Sequence, residues 1–172
     1  MLNEAPIPGS YWADTHLLAG PLPAAPEREV LRAQLRALLD AGVRTVIDLR
    51  TPAEAPGVRS LFEKLARDDE PVAWLNFPIT DGAAPSVALL ELILDTIDAS
   101  IARGRGVYVH CAGGRGRTGT VVACWWIRHG RHEPEEALAE IKRRREGIFG
   151  GERPSPETGA QYRLVRAWRR GA

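Results

Sequence analysis

Cys111 and Arg117 stand on either side of a short run of small residues in "VYVHCAGGRGRTGTVV", residues 107–122. A β-branched and aromatic run precedes the cysteine and an apolar run follows the arginine. The pattern predicts a buried strand, a glycine-rich loop and a helix. Such a loop is the general design for an anion site, because backbone N–H groups converge there and the helix N-terminus adds positive potential. The anion expected is phosphate. Cys111 would face it as a nucleophile, since the thiolate is the reactive form and nearby amides and a helix N-terminus favour it. Arg117 would clamp it, its planar fork binding two oxygens and stabilising the charge of a phosphoryl group in transfer. Ala112, Gly113, Gly114 and Gly116 are small enough to let the backbone approach the oxygens closely. Two nucleotide-binding patterns fit less well. Gly114 and Gly119 have the glycine spacing of G-x-x-x-x-G-K-[ST], but Thr120 stands where the lysine is needed. Gly114, Gly116 and Gly119 match G-x-G-x-x-G, but late in the chain and with no acidic residue after a second strand.

These residues need a scaffold, and the chain is long enough to supply one. Its 172 residues, 44% hydrophobic, suit a single domain over residues 1–172 with a sizeable core. A net charge of +1 gives no global field for nucleic acid or membrane, so anion recognition must come from local cations. The N-terminal residues lack the basic and apolar regions of a signal peptide and no stretch is apolar for long enough to span a bilayer, so the expected location is the cytoplasm. Two cysteines make no disulfide framework; Cys124 reads as a buried helical thiol. Short strands are expected over 9–23, a helix over 26–42, a strand over 43–50, a helix over 58–70 and a strand over 71–80. An apolar helix over 85–104, a strand over 106–110 and helices over 118–130, 133–147 and 155–171 follow. Strands separated by helices imply an α/β fold, with a largely parallel central sheet flanked by helices. Strand order does not follow from the pattern.

"HCAGGRGRTG", His110 to Gly119, resembles the H-C-x5-R-[ST]-G signature of the protein tyrosine and dual-specificity phosphatases. The chain is similar to the compact members of the cyclin-dependent kinase inhibitor 3 type and their bacterial relatives, through "LLAGPLP", "GVRTVIDLR", "FPITDGAAP" and "PETGAQY". The resemblance implies the phosphatase-like fold and a two-step displacement without metal or cofactor. Cys111 attacks phosphorus while Asp81 protonates the leaving oxygen; Asp81 then activates the water that hydrolyses the phosphocysteine. Thr118 would stabilise the departing thiolate and His110 would hold the loop. The amides of Ala112, Gly113, Gly114, Arg115, Gly116 and Arg117 would bind the phosphoryl oxygens. Gln161, with Glu157 in place of a second glutamine, would position the water.

The implied substrate is a phosphorylated protein or a small phosphomonoester, hydrolysed by a monomer with no nucleic-acid partner and no membrane insertion. Only Arg115 adds a basic side chain to the loop rim, which favours phosphotyrosine and phosphoserine or phosphothreonine over inositol phosphates and phosphoinositides. Sulfur transfer, arsenate reduction and silent phosphate binding are the rival readings. The separate Asp81 loop and Thr118 argue against the first two, and the presence of Cys111, Arg117 and Asp81 together against the third. Arg50 and Glu54, at a strand's carboxyl end, could reach the site but read more safely as a structural ion pair. The run "KRRREG" at 142–147 reads as an exposed helix face and only secondarily as a docking patch for acidic partners, and Trp125 and Trp126 as core.

Overall fold

In the computed structural model, which describes residues 4–54, 57–67 and 70–172, Gly106–His110 is buried along its whole length. A strand of this kind belongs in the middle of a parallel sheet covered on both faces. The described residues form five strands: β1 (Tyr11–Asp14), β2 (Leu17–Gly20), β3 (Val43–Asp48), β4 (Ala73–Asn76) and β5 (Gly106–His110). They lie in the order β1-β2-β5-β3-β4. Only the β1–β2 pair is antiparallel; β5 runs parallel to both β2 and β3. The expected mixed α/β architecture with a largely parallel sheet is the one observed.

Among the described residues six α-helices pack around the sheet: α1 (Arg28–Asp40), α2 (Val58–Leu65), α3 (Val87–Ala102), α4 (Gly116–Arg128), α5 (Pro134–Arg144) and α6 (Gly159–Ala167). Alternate residues of β5 face opposite sides, as the two-residue strand period requires. Tyr108 joins Leu35, Leu38 and Phe62 under α1 and α2. Val107, Val109 and Cys111 join the larger core with Ile93, Val121, Trp126 and Val165 from α3, α4 and α6. Trp125 and Trp126 are core residues as expected, and the indole of Trp126 also donates to the carbonyl of Ala13. α4 is buried from Gly116 through Ile127, so it is held by apolar packing on every side.

Three boundaries depart from the sequence reading. α2 ends at Leu65, and residues 68–69 of the expected helix lie outside the described residues. Regular pairing of the expected strand 71–80 stops at Asn76, although the N–H groups of Phe77 and Ile79 still donate to Asp48 and Leu49. The expected terminal helix begins only at Gly159. Residues 155–158 lie outside the helix, with the side chains of Ser155, Glu157 and Thr158 bonded to loops elsewhere in the fold. Among the described residues no helix is long and apolar enough to cross a membrane.

Candidate active site

Residues 111–117 follow β5 and lead into α4, at the carboxyl end of the parallel strands where α/β proteins collect their ligands. Their glycines make room mainly for protein. Gly114 has φ +66°, and a Cβ there would lie 2.3 Å from the backbone carbon of Gly20. A Cβ on Gly116 would lie 2.4 Å from the carboxylate of Glu157. Beside the expected close approach of an anion, these glycines therefore have a second task inside the fold. They let the loop sink against β2 and accept the segment before α6. Ala112 and Gly113 remain exposed, and the Ala112 carbonyl is tied down by the N–H of Leu22.

Arg117 is buried in the first turn of α4 and is the hub of the site. Its Nη1 and Nη2 donate to Glu54 Oε2 and Oε1 at 2.9 and 2.8 Å, a bidentate pair. Nη1 also donates to the Ile79 carbonyl, and Nη2 lies 2.9 Å from Asp81 Oδ1. The Nε–H is buried and finds no partner among the described residues. Burial opposes the charge of Arg117, but Glu54, Cys111 and Asp81 together outweigh it and the pKa rises. Conversely, the Arg117 guanidinium holds Glu54 down at about 2. Asp81 lies on the loop after β4 with its side chain 75% exposed, so one carboxylate of the hub is free to move. The expected Arg50–Glu54 ion pair is replaced: Arg50 pairs with Asp48 at 2.8 Å and only its Nη1 reaches the Glu54 backbone carbonyl. Glu54 follows a strand end by a few residues, and nothing local in the sequence tells which arginine it will meet.

Cys111 is a free, buried thiol, and its alternate-face position separates it from the ring of His110. That ring stacks on Tyr108 and meets Trp74 edge-on, with no exposed surface. Its Nδ1 lies 3.0 Å from the Cys111 carbonyl, which can only accept, so Nδ1 carries the proton. Burial pushes the ring pKa down to about 4, more than the charge of Asp48 pulls it up, so the imidazole is neutral near pH 7. Thr118 Oγ1 is buried one position beyond Arg117 and finds no partner among the described residues.

The segment 155–161 ties the loop 111–117 to the Asp81 loop. Ser155 Oγ donates to the Arg115 carbonyl, and Glu157 accepts from the Gly116 N–H at 3.0 Å and pairs with Arg115 at 2.6 Å. Thr158 Oγ1 donates to the Gly82 carbonyl. Gln161 is fully buried: Oε1 accepts from the N–H groups of Glu157 and Thr158, and Nε2 donates to the Ala83 carbonyl. Gln161 thus has no accepting capacity left and one N–H to spare. Both oxygens of Glu157 are engaged by the loop. Arg145 corrects the exposed-face reading of "KRRREG": it is buried, donating to the carbonyls of Gly114 and Gly150. Lys142 and Arg143 on the same helix are exposed, as expected. The sequence reasoning allowed Glu54 to reach the site but preferred its pairing with Arg50, and it missed Arg145 as a part of the site.

Residues 24–131 match the family model described as "Polymorphic toxin system, DSP-PTPase phosphatase". The chain belongs to this DSP-PTPase family. The putative tyrosine phosphatase 067L of Invertebrate iridescent virus 3 is 29% identical over 127 residues, 71% of this chain and 48% of that protein. Phosphatidylglycerophosphate phosphatase PTPMT1 of Arabidopsis thaliana is 31% identical over 105 residues, 61% of this chain and 30% of that protein. The chain thus spans less than half the length of these two DSP-PTPase relatives. The crystal structure of Tk-PTP in the active form superposes with a TM-score of 0.74 at 29% identity, covering 92% of this chain and 95% of that one.

Proposed function

We propose that the protein is a cysteine-dependent phosphomonoesterase that hydrolyses phosphotyrosine, and phosphoserine or phosphothreonine, in proteins through a phosphocysteine. The observation that carries this reading is the contact of Asp81 with Arg117. It brings a carboxyl group from a separate loop to the cation of the anion loop. A phosphatase needs that acid, whereas sulfur transfer and arsenate reduction do not.

An incoming phosphate competes with Asp81 for Arg117 and also meets its unused Nε–H, while Glu54 holds the guanidinium in its orientation. Amides of residues 112–117 hold the remaining oxygens, except that of Gly116, which donates to Glu157 instead of the expected phosphoryl oxygen. Cys111 Sγ attacks phosphorus; the S–P bond forms as the P–O bond to the leaving group breaks, and Asp81 gives that oxygen its proton. Water then attacks the phosphocysteine, passing a proton to Asp81. The S–P bond breaks, with Thr118 donating to the departing thiolate. The spare N–H of Gln161, which packs against Gly116, holds the water through its oxygen. His110 contributes by fixing the Cys111 carbonyl rather than by charge.

A second reading, a phospholipid or inositol phosphate substrate, has one observation in its favour. A groove of about 550 Å³ lined by Ile7, Pro21, Leu22, Pro23 and Phe149 opens beside Ala112 and Arg115. The deciding experiment compares kcat/KM on phosphotyrosine, phosphothreonine and inositol phosphate substrates, with mass spectrometry of the quenched enzyme for phosphate on Cys111. Turnover of phosphopeptides with a Cys111 adduct is expected. Turnover without any adduct overturns the covalent mechanism, and activity confined to lipid or inositol substrates overturns the protein reading.

A further inference from the structure

Glu157 occupies an unusual place for a carboxylate, inside the rim of a loop built for anions. One oxygen takes the Gly116 N–H at 3.0 Å and the other the Arg115 guanidinium at 2.6 Å. Arg115 is the only basic side chain among the small residues between Cys111 and Arg117. The fit is close: a Cβ on Gly116 would meet Glu157 Oε2 at 2.4 Å and the buried Gln161 amide at 3.0 Å, so a side chain there would displace the carboxylate. Both partners are only about a quarter exposed, which keeps their attraction from being fully screened. The segment is held in place from behind, because the Glu157 N–H donates to the buried Gln161.

The other charges near the loop do not change this balance. Arg117 is engaged by Glu54 and Asp81. Arg145 lies buried beneath the loop on the carbonyls of Gly114 and Gly150. Arg153 is exposed and lies 3.7 Å from Glu152. The rim cation that could greet a second anionic group beside the reacting phosphate is therefore already neutralised by the chain itself.

We propose that Glu157 is a specificity-determining residue: it is an internal anion that fills the place of a second substrate phosphate, so the site selects phosphomonoesters with no other anion next to the reacting group. The inference rests on the phosphatase reading, whose substrate class it narrows. Glu157→Gln is the informative change, because an amide oxygen can still accept from Gly116 or Arg115 while the charge is gone. A purely structural role in tying the segment to the loop would survive it.

The test is calorimetric binding of inorganic phosphate and of pyrophosphate, which carries a second phosphoryl group next to the first, to the full chain carrying Cys111→Ser. The ratio of the two Kd values is compared with and without Glu157→Gln. The expected result is a shift of about tenfold or more in favour of pyrophosphate, and its reversal when Arg115→Ala is added. An unchanged ratio overturns the inference and leaves the phosphatase reading standing. A shift that persists without Arg115 also overturns it, since the second anion is then held elsewhere. Absence of phosphate binding altogether overturns both.

Discussion

Acidification from about pH 7 to about pH 4.5 is expected to cost the fold roughly 3 kcal/mol through His110 alone. The ring is fully buried between Tyr108 and Trp74, and burial brings its pKa from 6.5 to about 4. Asp48 and the Cys111 carbonyl favour the charged ring, Arg50 and Arg117 oppose it, and burial dominates. In the unfolded chain the ring takes up its proton near 6.5, whereas the native ring resists until about 4. Between those values the unfolded state holds more protons, so stability is complete above 6.5 and falls as the pH drops toward 4. About two pH units at about 1.4 kcal/mol each give the figure. Glu54 and Glu140, both held at about 2, lose their contributions only below the ordinary carboxylate value of 4.5, outside this window. Urea unfolding at the two pH values measures the loss directly. His110→Asn keeps a donor for the Cys111 carbonyl and cannot titrate. It should be less stable near neutrality, through lost ring packing, yet nearly flat across the window. A wild-type protein that stays flat, or a variant that loses as much as wild type, refutes the argument.

Cys111→Ser should abolish turnover while phosphate binding, read by calorimetry, stays within a few-fold of wild type, since the cradle of amides and Arg117 is unchanged. Asp81→Asn should slow hydrolysis of alkyl phosphates by about 10²-fold or more but barely affect activated aryl phosphates. The same variant should bind inorganic phosphate more tightly, because Arg117 loses a competing carboxylate; equal kinetic losses on both substrate types remove Asp81 from the acid role. Gln161→Ala strands two N–H groups and the Ala83 carbonyl, so thermal or urea melts should show a loss of about 2–4 kcal/mol. In rapid mixing it should also enlarge the burst and slow the steady state, and an unchanged burst-to-steady-state ratio ends its water-holding role.

The sequence by itself determined what lies within one strand, one turn and one helix. Cys111 and Arg117 are positioned relative to each other by β5, the loop and the first turn of α4, all contiguous, so their spacing alone carries the anion-site reading. The helix and strand pattern carries the α/β class for the same reason, because period and turn residues are local signals. Only the tertiary structure decided the partners. Glu54 chooses Arg117 over its neighbour Arg50, since Asp48 at the end of β3 already holds Arg50. Arg145 points inward while Lys142 and Arg143 face solvent, because the end of α5 packs beneath Gly114 and the basic run crosses from surface to interior. Glu157 and Gln161 sit against Gly116 only because residues 155–161 cross the gap between the loop 111–117 and the Asp81 loop. Such pairings join residues tens of positions apart. The order of the strands and the packing of the helices bring them together, and neither is written in any short window of the chain.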